Sequence, residues 1–340
     1  PHINTYRERI CILSPDQTSP VLAARVGMGG AIFPGMISEE ELCAMIGEIK
    51  PAIEQVRKDL NYDRVTFFEM YTALALCYFR KMKTDFVVLE TGLGGRLDAT
   101  NVVESLVGII TPVSLEHTDI LGNTVAEIAK EKAAIIKNKD QKVVLAPQEK
   151  DAYNILMERC RQFKIVPVRV DCDHRVNNVL IDTDMQIFDL ATLRTQYEQL
   201  CLKLMGAHQR HNASAVVGAV EHLQGMGFNI PEEAIRDGLL NTFWPCRFEV
   251  FKGEPLVILD GAHNADSARA LSRTVKSVYG GKKVLMVMGV SEDKNEQKIL
   301  GELEGLAKAI IFTKAHHPRA KNLAGAVSVE KAINTARQQA

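Results

Sequence analysis

The chain predicts an α/β fold with largely parallel sheets, divided into two domains. Short apolar, β-branched-rich runs at 86–89, 106–111 and 142–147 alternate with longer segments of helical periodicity, the pattern of strand–helix–strand units. The alternation resumes at PLVILD, residues 255–260. A length of 340 residues also exceeds one ordinary core. The expected division is 1–243, a mostly parallel-sheet domain, and 244–340, a smaller Rossmann-like α/β domain, since a helix ends in Asn-Thr-Phe-Trp-Pro at 241–245.

Composition narrows the partners. Hydrophobic residues at 46%, charged residues at 24% and a formal net charge of -1 argue against nucleic acid and against an anionic membrane surface. The seven cysteines are odd in number and none forms a Cys-x-x-Cys pair, so neither a disulfide framework nor a zinc knuckle is expected. No apolar run is long enough to span a bilayer. A cytoplasmic monomer is the expectation.

The elements follow in order. Residues 11–37 hold a G-x-G-G at Gly27, Gly29 and Gly30, but no Rossmann spacing follows it and no clear strand precedes it. Ser38 with Glu41 predicts a capped helix, as does Thr66 with Glu69 for a helix through Met82. Phe86 to Leu89 reads as a buried parallel strand with Glu90 at its carboxyl end, where ligands of open α/β sheets gather. Gly92, Gly94 and Gly95 then let the backbone turn and approach a ligand, or simply turn. Arg96, Asp98, Thr100 and Asn101 make a polar density unusual for a mere connection.

After a strand at 106–111, His117 is expected at a strand end. Thr124 and Glu127 open a helix whose Val125, Ile128, Ala129, Ile135 and Ile136 mark one face. Lys132 falls on that face and must snorkel or find a partner, while Lys130, Glu131 and Lys137 can point to solvent. Residues 171–205 read as a small antiparallel addition. His208, Gln209, His211 and Asn212 open the next helix, suited to a polar ligand or to plain capping. Strands at PLVILD, KVLMVMG and AIIFTK, with helices between, predict a parallel sheet for the second domain, and Asp260, His263 and Asn264 lie where a strand turns into a helix.

ETGLGGRLDATN, residues 90–101, resembles the signature of the folylpolyglutamate synthase and dihydrofolate synthase family, relatives of the Mur cell-wall ligases. HQRHNA at 208–213, WPCRFE at 244–249 and DGAHN at 260–264 resemble three further family elements, with Cys246 in place of a glycine. The resemblance implies a Mur-ligase-like fold and an ATP-dependent ligase adding L-glutamate to folate, and also to dihydropteroate, through an acyl phosphate. It implies magnesium held by Glu90, His117 and Lys132 as a carbamate, and ATP contacts from Asn212, Arg247 and Asp260. His263, with Lys132, is implied in catalysis. Thr66, Phe67, Phe68 and Glu69, and Leu97, Asp98 and Ala99, are implied to border the folate or pteroate. Ala134 stands where relatives have glycine. No Gly-x-x-x-x-Gly-Lys-Ser/Thr occurs, and the chain opens at Pro1-His2. The family's GTNGKGS-type phosphate loop is therefore expected upstream, and both ends are expected to be cut. The rival readings are a Mur-type ligase of a UDP-sugar precursor and a non-catalytic remnant.

Overall fold

The computed structural model describes residues 5–14, 35–60, 64–315 and 317–339. The glycines at 27, 29 and 30 lie outside the described residues. The chain divides into two compact units, one of 1–108, 115–141 and 149–166, the other of 109–114, 142–148 and 167–340.

The first unit is helical. Ser38 and Thr66 cap α1 (Glu39–Asp59) and α2 (Phe67–Met82) with the expected reciprocal bonds to Glu41 and Glu69. Met45 and Ile49 of α1 meet Tyr71, Leu74 and Tyr78 of α2 in a core closed by Ile10 and Ile37. A short helix, α3 (Thr118–Leu121), leads into α4 (Val125–Ala133), whose Thr124–Glu127 capping box also forms. Ile128, Ala129 and Ala133 are buried on α4, and Ala152, Leu156 and Cys160 on α5 (Lys150–Gln162), which packs against it.

Residues 86–89 correct the sequence reading. They belong to no strand, and Phe86, Val87 and Val88 are 47%, 44% and 95% exposed. A buried parallel strand exists only when ladder partners flank it. Among the described residues no strand pairs with this run, so its apolar pattern remains a largely solvent-facing segment outside any strand.

In the second unit a three-stranded sheet follows the order β1 (Val107–Ile110, shared between the units), β2 (Lys142–Leu145), β3 (Val168–Arg169). A one-turn helix, α6 (Val170–Asp173), leads to the antiparallel meander β4 (Arg175–Ile181), β5 (Gln186–Ala191), β6 (Gln196–Leu202), as the sequence predicts. Phe188, Leu190, Leu200 and Leu202 of the meander pack on Ala213 and Val217 of α7 (Ala207–Gly225) and on Ile235 and Leu239 of α8 (Glu232–Asn241).

β7 (Glu249–Phe251) and β8 (Val257–Leu259) form an antiparallel ribbon. PLVILD was expected in the parallel sheet; instead it pairs with the segment just before it, because a short connection returns the chain antiparallel whereas a parallel partner needs a crossover. The parallel sheet is β11–β10–β9, from β9 (Val284–Met288), β10 (Ala307–Lys314) and β11 (Val327–Ser328). α9 (Ala265–Tyr279), α10 (Glu296–Leu303) and α11 (Val329–Gln339) accompany it. No described helix is long and apolar enough to cross a membrane.

His174 occupies the small-residue side of α7. Its ring takes the space beside Gly218, where an added Cβ would stand 3.0 Å from the ring. The imidazole is 6% exposed, its Nδ1 is buried without a hydrogen-bond partner, and burial lowers its pKa against the weaker pull of Glu221 and Asp173. The folded state therefore favours neutral His174. Its stability contribution is full above the unfolded value of about 6.5 and is lost as pH falls through the lower folded value. We expect the urea midpoint of His174→Gln to vary less between pH 7 and pH 5 than that of the parent chain; equal pH slopes would remove His174 from the acid response.

Candidate functional site

The loop 92–101 is built from inside and from below. Asp98 staples it: Oδ2 accepts the amides of Gly92 and Leu93 at 2.9 and 2.8 Å, while Oδ1 accepts the Thr100 amide and hydroxyl at 2.9 and 2.5 Å. The ring of Phe68, at the start of α2, lies under the loop so closely that a Cβ on Gly92 would come within 2.6 Å of it. Leu97 stands 80% exposed on the outer side, and Ala99 starts the 3-10 turn Ala99–Val102.

The other expected substrate residues divide. Phe67 stacks on Tyr71 with ring centroids 5.1 Å apart, tilts against Tyr6 at 5.0 Å and has the Arg9 guanidinium 5.7 Å over its ring, with the residue 43% exposed. Thr66 and Glu69 are occupied with each other: Glu69 Oε2 accepts the Thr66 amide at 2.8 Å and its hydroxyl at 2.7 Å. Those bonds hold the Glu69 carboxyl below its ordinary pKa. The pair acts here as a helix cap.

The loop also touches the elements that carry the expected metal ligands. A Cβ on Gly94 would stand 2.9 Å from Leu121 of α3, and one on Gly95 would stand 2.7 Å from the Glu131 carbonyl and 3.2 Å from Lys132 Cα. Glu90 precedes this loop by two residues, and His117 immediately precedes α3 in a left-handed conformation, φ 52. His117 was expected at a strand end; β1 in fact stops at Ile110, and the turn into α3 presents the imidazole. Lys132 is half-buried in the last turn of α4, and among the described residues no hydrogen bond or ion pair holds its ammonium.

Glu131 and Lys137 were expected to face solvent and do not. Glu131 pairs with Arg96 at 2.9 Å. Lys137 Nζ donates to the carbonyls of Asn101, at 2.6 Å, and Val103, closing the far end of the loop. Gln141, buried, ties Ser105 to the turn after α4. Helical periodicity assigns Glu131 to an outer face, which only a neighbouring loop makes internal, while α4 stops at Ala133 and so leaves Lys137 beyond the helix that was expected to carry it. Ala134, where relatives have glycine, has φ -67 and ψ -8, which any residue adopts without strain.

Among the described residues no three His, Cys, Asp or Glu side chains gather as a metal site. A hard cation such as magnesium takes oxygen donors, and an ammonium offers it no lone pair. Glu90, His117 and Lys132 therefore suit magnesium only with Lys132 as a carbamate, which adds a second oxygen donor.

In the second unit the expected ATP residues form a connected group. Gly206, φ 106, starts α7 and leaves no room for a side chain, since a Cβ would lie 2.4 Å from Thr274 Oγ1. Asn212 donates to Gln209 Oε1 at 3.1 Å, and Gln209, 3% exposed, reaches His208 Nε2 at 3.2 Å. His208 is kept below the usual imidazole pKa by desolvation, and then by the charge of Arg247 and the neighbouring His211 and Arg210. Arg247 in turn acts on Asp260, whose pKa desolvation raises against that cation and against the amides of Phe248 and Ala262, which donate to its two oxygens at 2.9 and 2.8 Å. His263 bonds the Gly261 carbonyl through Nδ1 at 2.9 Å, just before the Asn264 cap of α9. Arg96, Glu131 and Lys137 are the supporting residues that sequence reasoning left without a role, with only the polar density after the glycines pointing to Arg96, whereas Gln209 was already flagged in the polar cluster that opens α7.

Cys246 sits at φ 55, the left-handed region where glycine is at ease. A non-glycine residue there costs roughly 1–2 kcal/mol, partly offset by the chain entropy a glycine would add. Cys246→Gly is expected to raise stability by about 0.5–1 kcal/mol in thermal melts; a loss would contradict the backbone geometry at this turn.

Comparison with known proteins identifies the family to which the chain is similar. The chain matches the Mur ligase middle domain over residues 37–220 and the glutamate ligase domain of Mur ligases over 246–340. It is 38% identical over 288 residues to the dihydrofolate synthase/folylpolyglutamate synthase of Bacillus subtilis, covering 84% of this chain and 66% of that protein. The structure resembles that of Mycobacterium tuberculosis folylpolyglutamate synthase complexed with ADP, with TM-score 0.83, 30% identity, and 90% and 72% of the two chains covered. A solved complex of FPGS with AMPPCP and folate matches at TM-score 0.76 and 28% identity, over 82% and 68% of the two chains.

Proposed function

We infer, from the premise that this chain belongs to the Mur ligase family and within it to the folylpolyglutamate and dihydrofolate synthases, that it serves ATP-dependent addition of L-glutamate to folate, with dihydropteroate as a second acceptor. The observation that carries this reading is the ETGLGGRLDATN loop, preformed by Asp98 and seated on the helix of Lys132. The domain division at 243/244, a monomeric state and a cytoplasmic location belong to the same proposal.

In this reading Phe67, Phe68, Leu97 and Ala99 border the pterin or benzoyl rings, while Thr66 and Glu69 hold α2 in place and Asp98 shapes the loop. Asn212, Arg247 and Asp260 hold ATP, with Arg247 supplying positive charge for phosphate and His263 lying beside it. The free amine of Lys132 attacks carbon dioxide, forming an N–C bond and releasing a proton to solvent. Glu90, His117 and the resulting carbamate would hold magnesium, which when bound offsets charge on the transferring phosphoryl group. ATP phosphorylates the acceptor carboxylate, and the glutamate amine displaces phosphate from the acyl phosphate to form the amide.

The test is transfer of labelled glutamate onto tetrahydrofolate and onto dihydropteroate, each with and without ATP. ATP-dependent labelling of either acceptor supports the reading and separates the two. Labelling of a UDP-sugar peptide precursor instead would select the Mur-type alternative, against which the GLGGRLDATN loop argues. Binding of both folate and AMPPCP with no transfer would mark a non-catalytic chain.

A further inference from the structure

Two residues, 35 apart in sequence, make two bonds to each other at the centre of the site. The Arg96 amide donates to the Glu131 carbonyl at 2.9 Å, and Arg96 Nε donates to Glu131 Oε1 at 2.9 Å. Gly94 and Gly95 press on the same residue, with added Cβ positions 3.7 Å from Glu131 Cβ and 2.7 Å from its carbonyl oxygen. The next residue along the helix is Lys132, whose Cα lies 3.2 Å from the same Gly95 position. Neither Arg96 nor Glu131 has a role in the reading above.

The side-chain pair is partly exposed, 58% at Arg96 and 23% at Glu131, so as an isolated ion pair it would add little stability. Its geometry is what matters. Lys137 ties the far end of the loop at Asn101 and Val103, while the Arg96–Glu131 pair fixes its middle, where the side-chain bond adds a second contact beside the backbone one. Reacting groups must be held within a fraction of an ångström and roughly 10–20° of their productive geometry.

We propose that Glu131 is a positioning residue: by gripping Arg96 through backbone and side chain it holds the glycine loop in one register against Lys132, so that the acceptor carried by the loop and the carbamate on Lys132 meet in one geometry. The second half of this statement rests on the carbamate reading above; the first does not.

The test uses the full chain and needs no turnover. Hydrogen exchange of the amides at 92–101 is measured for the parent, Glu131→Ala and Glu131→Gln, together with the carbamate resonance produced by isotopically labelled bicarbonate. Glu131→Ala should speed loop exchange roughly ten-fold and lower the carbamate signal several-fold, with the global melt little changed. Glu131→Gln, which keeps an acceptor for Arg96 Nε, should recover most of both. Loop exchange in Glu131→Ala equal to the parent overturns the clamp. A loosened loop with an undiminished carbamate overturns the link to Lys132 and leaves Glu131 a structural residue. A parent chain without any carbamate signal overturns the modification itself, and the exchange data still decide the clamp.

Discussion

In a chain that carries the GTNGKGS-type phosphate loop expected upstream, Lys132→Ala should lower ATP-dependent glutamate transfer by roughly a hundred- to a thousand-fold, about 2.7–4 kcal/mol of transition-state stabilisation, the scale of removing one charge-stabilising group from a site. The residue is half-buried and its ammonium makes no ion pair or hydrogen bond with the described residues, so its removal breaks no stabilising contact. The thermal midpoint should therefore stay within a few degrees of the parent, which separates this loss from unfolding. Lys132→Arg is the sharper variant. It keeps the positive charge and the stem but has no amine able to take up carbon dioxide, so it should be as inactive as alanine. If arginine restores transfer, a cation is what the site needs, and the carbamate is wrong.

Phe188→Ala should cost about 3–5 kcal/mol, the usual range for emptying a fully buried aromatic position. Phe188 is 0% exposed, at the centre of β5, which has a partner strand on each side, and its cluster includes residues of α7 and α8. A meander strand held by neighbours on both edges cannot slide to refill the space, so the cavity term should be close to its maximum. Urea unfolding followed by circular dichroism would read the loss as a lower midpoint. Weaker binding of ATP analogues should accompany it, since Ala213 and Val217 of the same cluster lie on the helix that carries Asn212. A cost below about 1 kcal/mol would mean that the site collapses freely and that this core is not close-packed.

Several features were legible because they are local. The capping boxes at Ser38, Thr66 and Thr124 all form, since each needs only a hydroxyl and a carboxylate three residues apart. The meander at 175–202 follows from alternating short strands joined by tight turns such as Asp182, which accepts the amides of Asp184 and Met185. The family signature was legible too, and its glycines prove to be places where Phe68, Leu121 and Glu131 leave no room for a Cβ. What escaped depends on partners remote in sequence. Phe86 to Leu89 has the composition of a buried strand but no ladder partner among the described residues. Glu131 occupies a helix position that periodicity assigns to water, and Lys137 follows the end of α4, until a loop beginning some forty residues earlier covers both.

The sequence by itself determined the family, the capped helices and the chemical types at the site, because motif spacing and i-to-i+3 bonds need no knowledge of the rest of the chain. Only the tertiary structure decided that Asp98 is spent on its own loop, that PLVILD turns back into an antiparallel ribbon, and that Arg96 and Glu131 lock the loop to the helix of Lys132. The Arg96–Glu131 contact joins segments 35 residues apart that meet only after the chain has folded; the Asp98 bonds and the ribbon are local, but composition carries no record of which of several available backbone groups a segment will pair with.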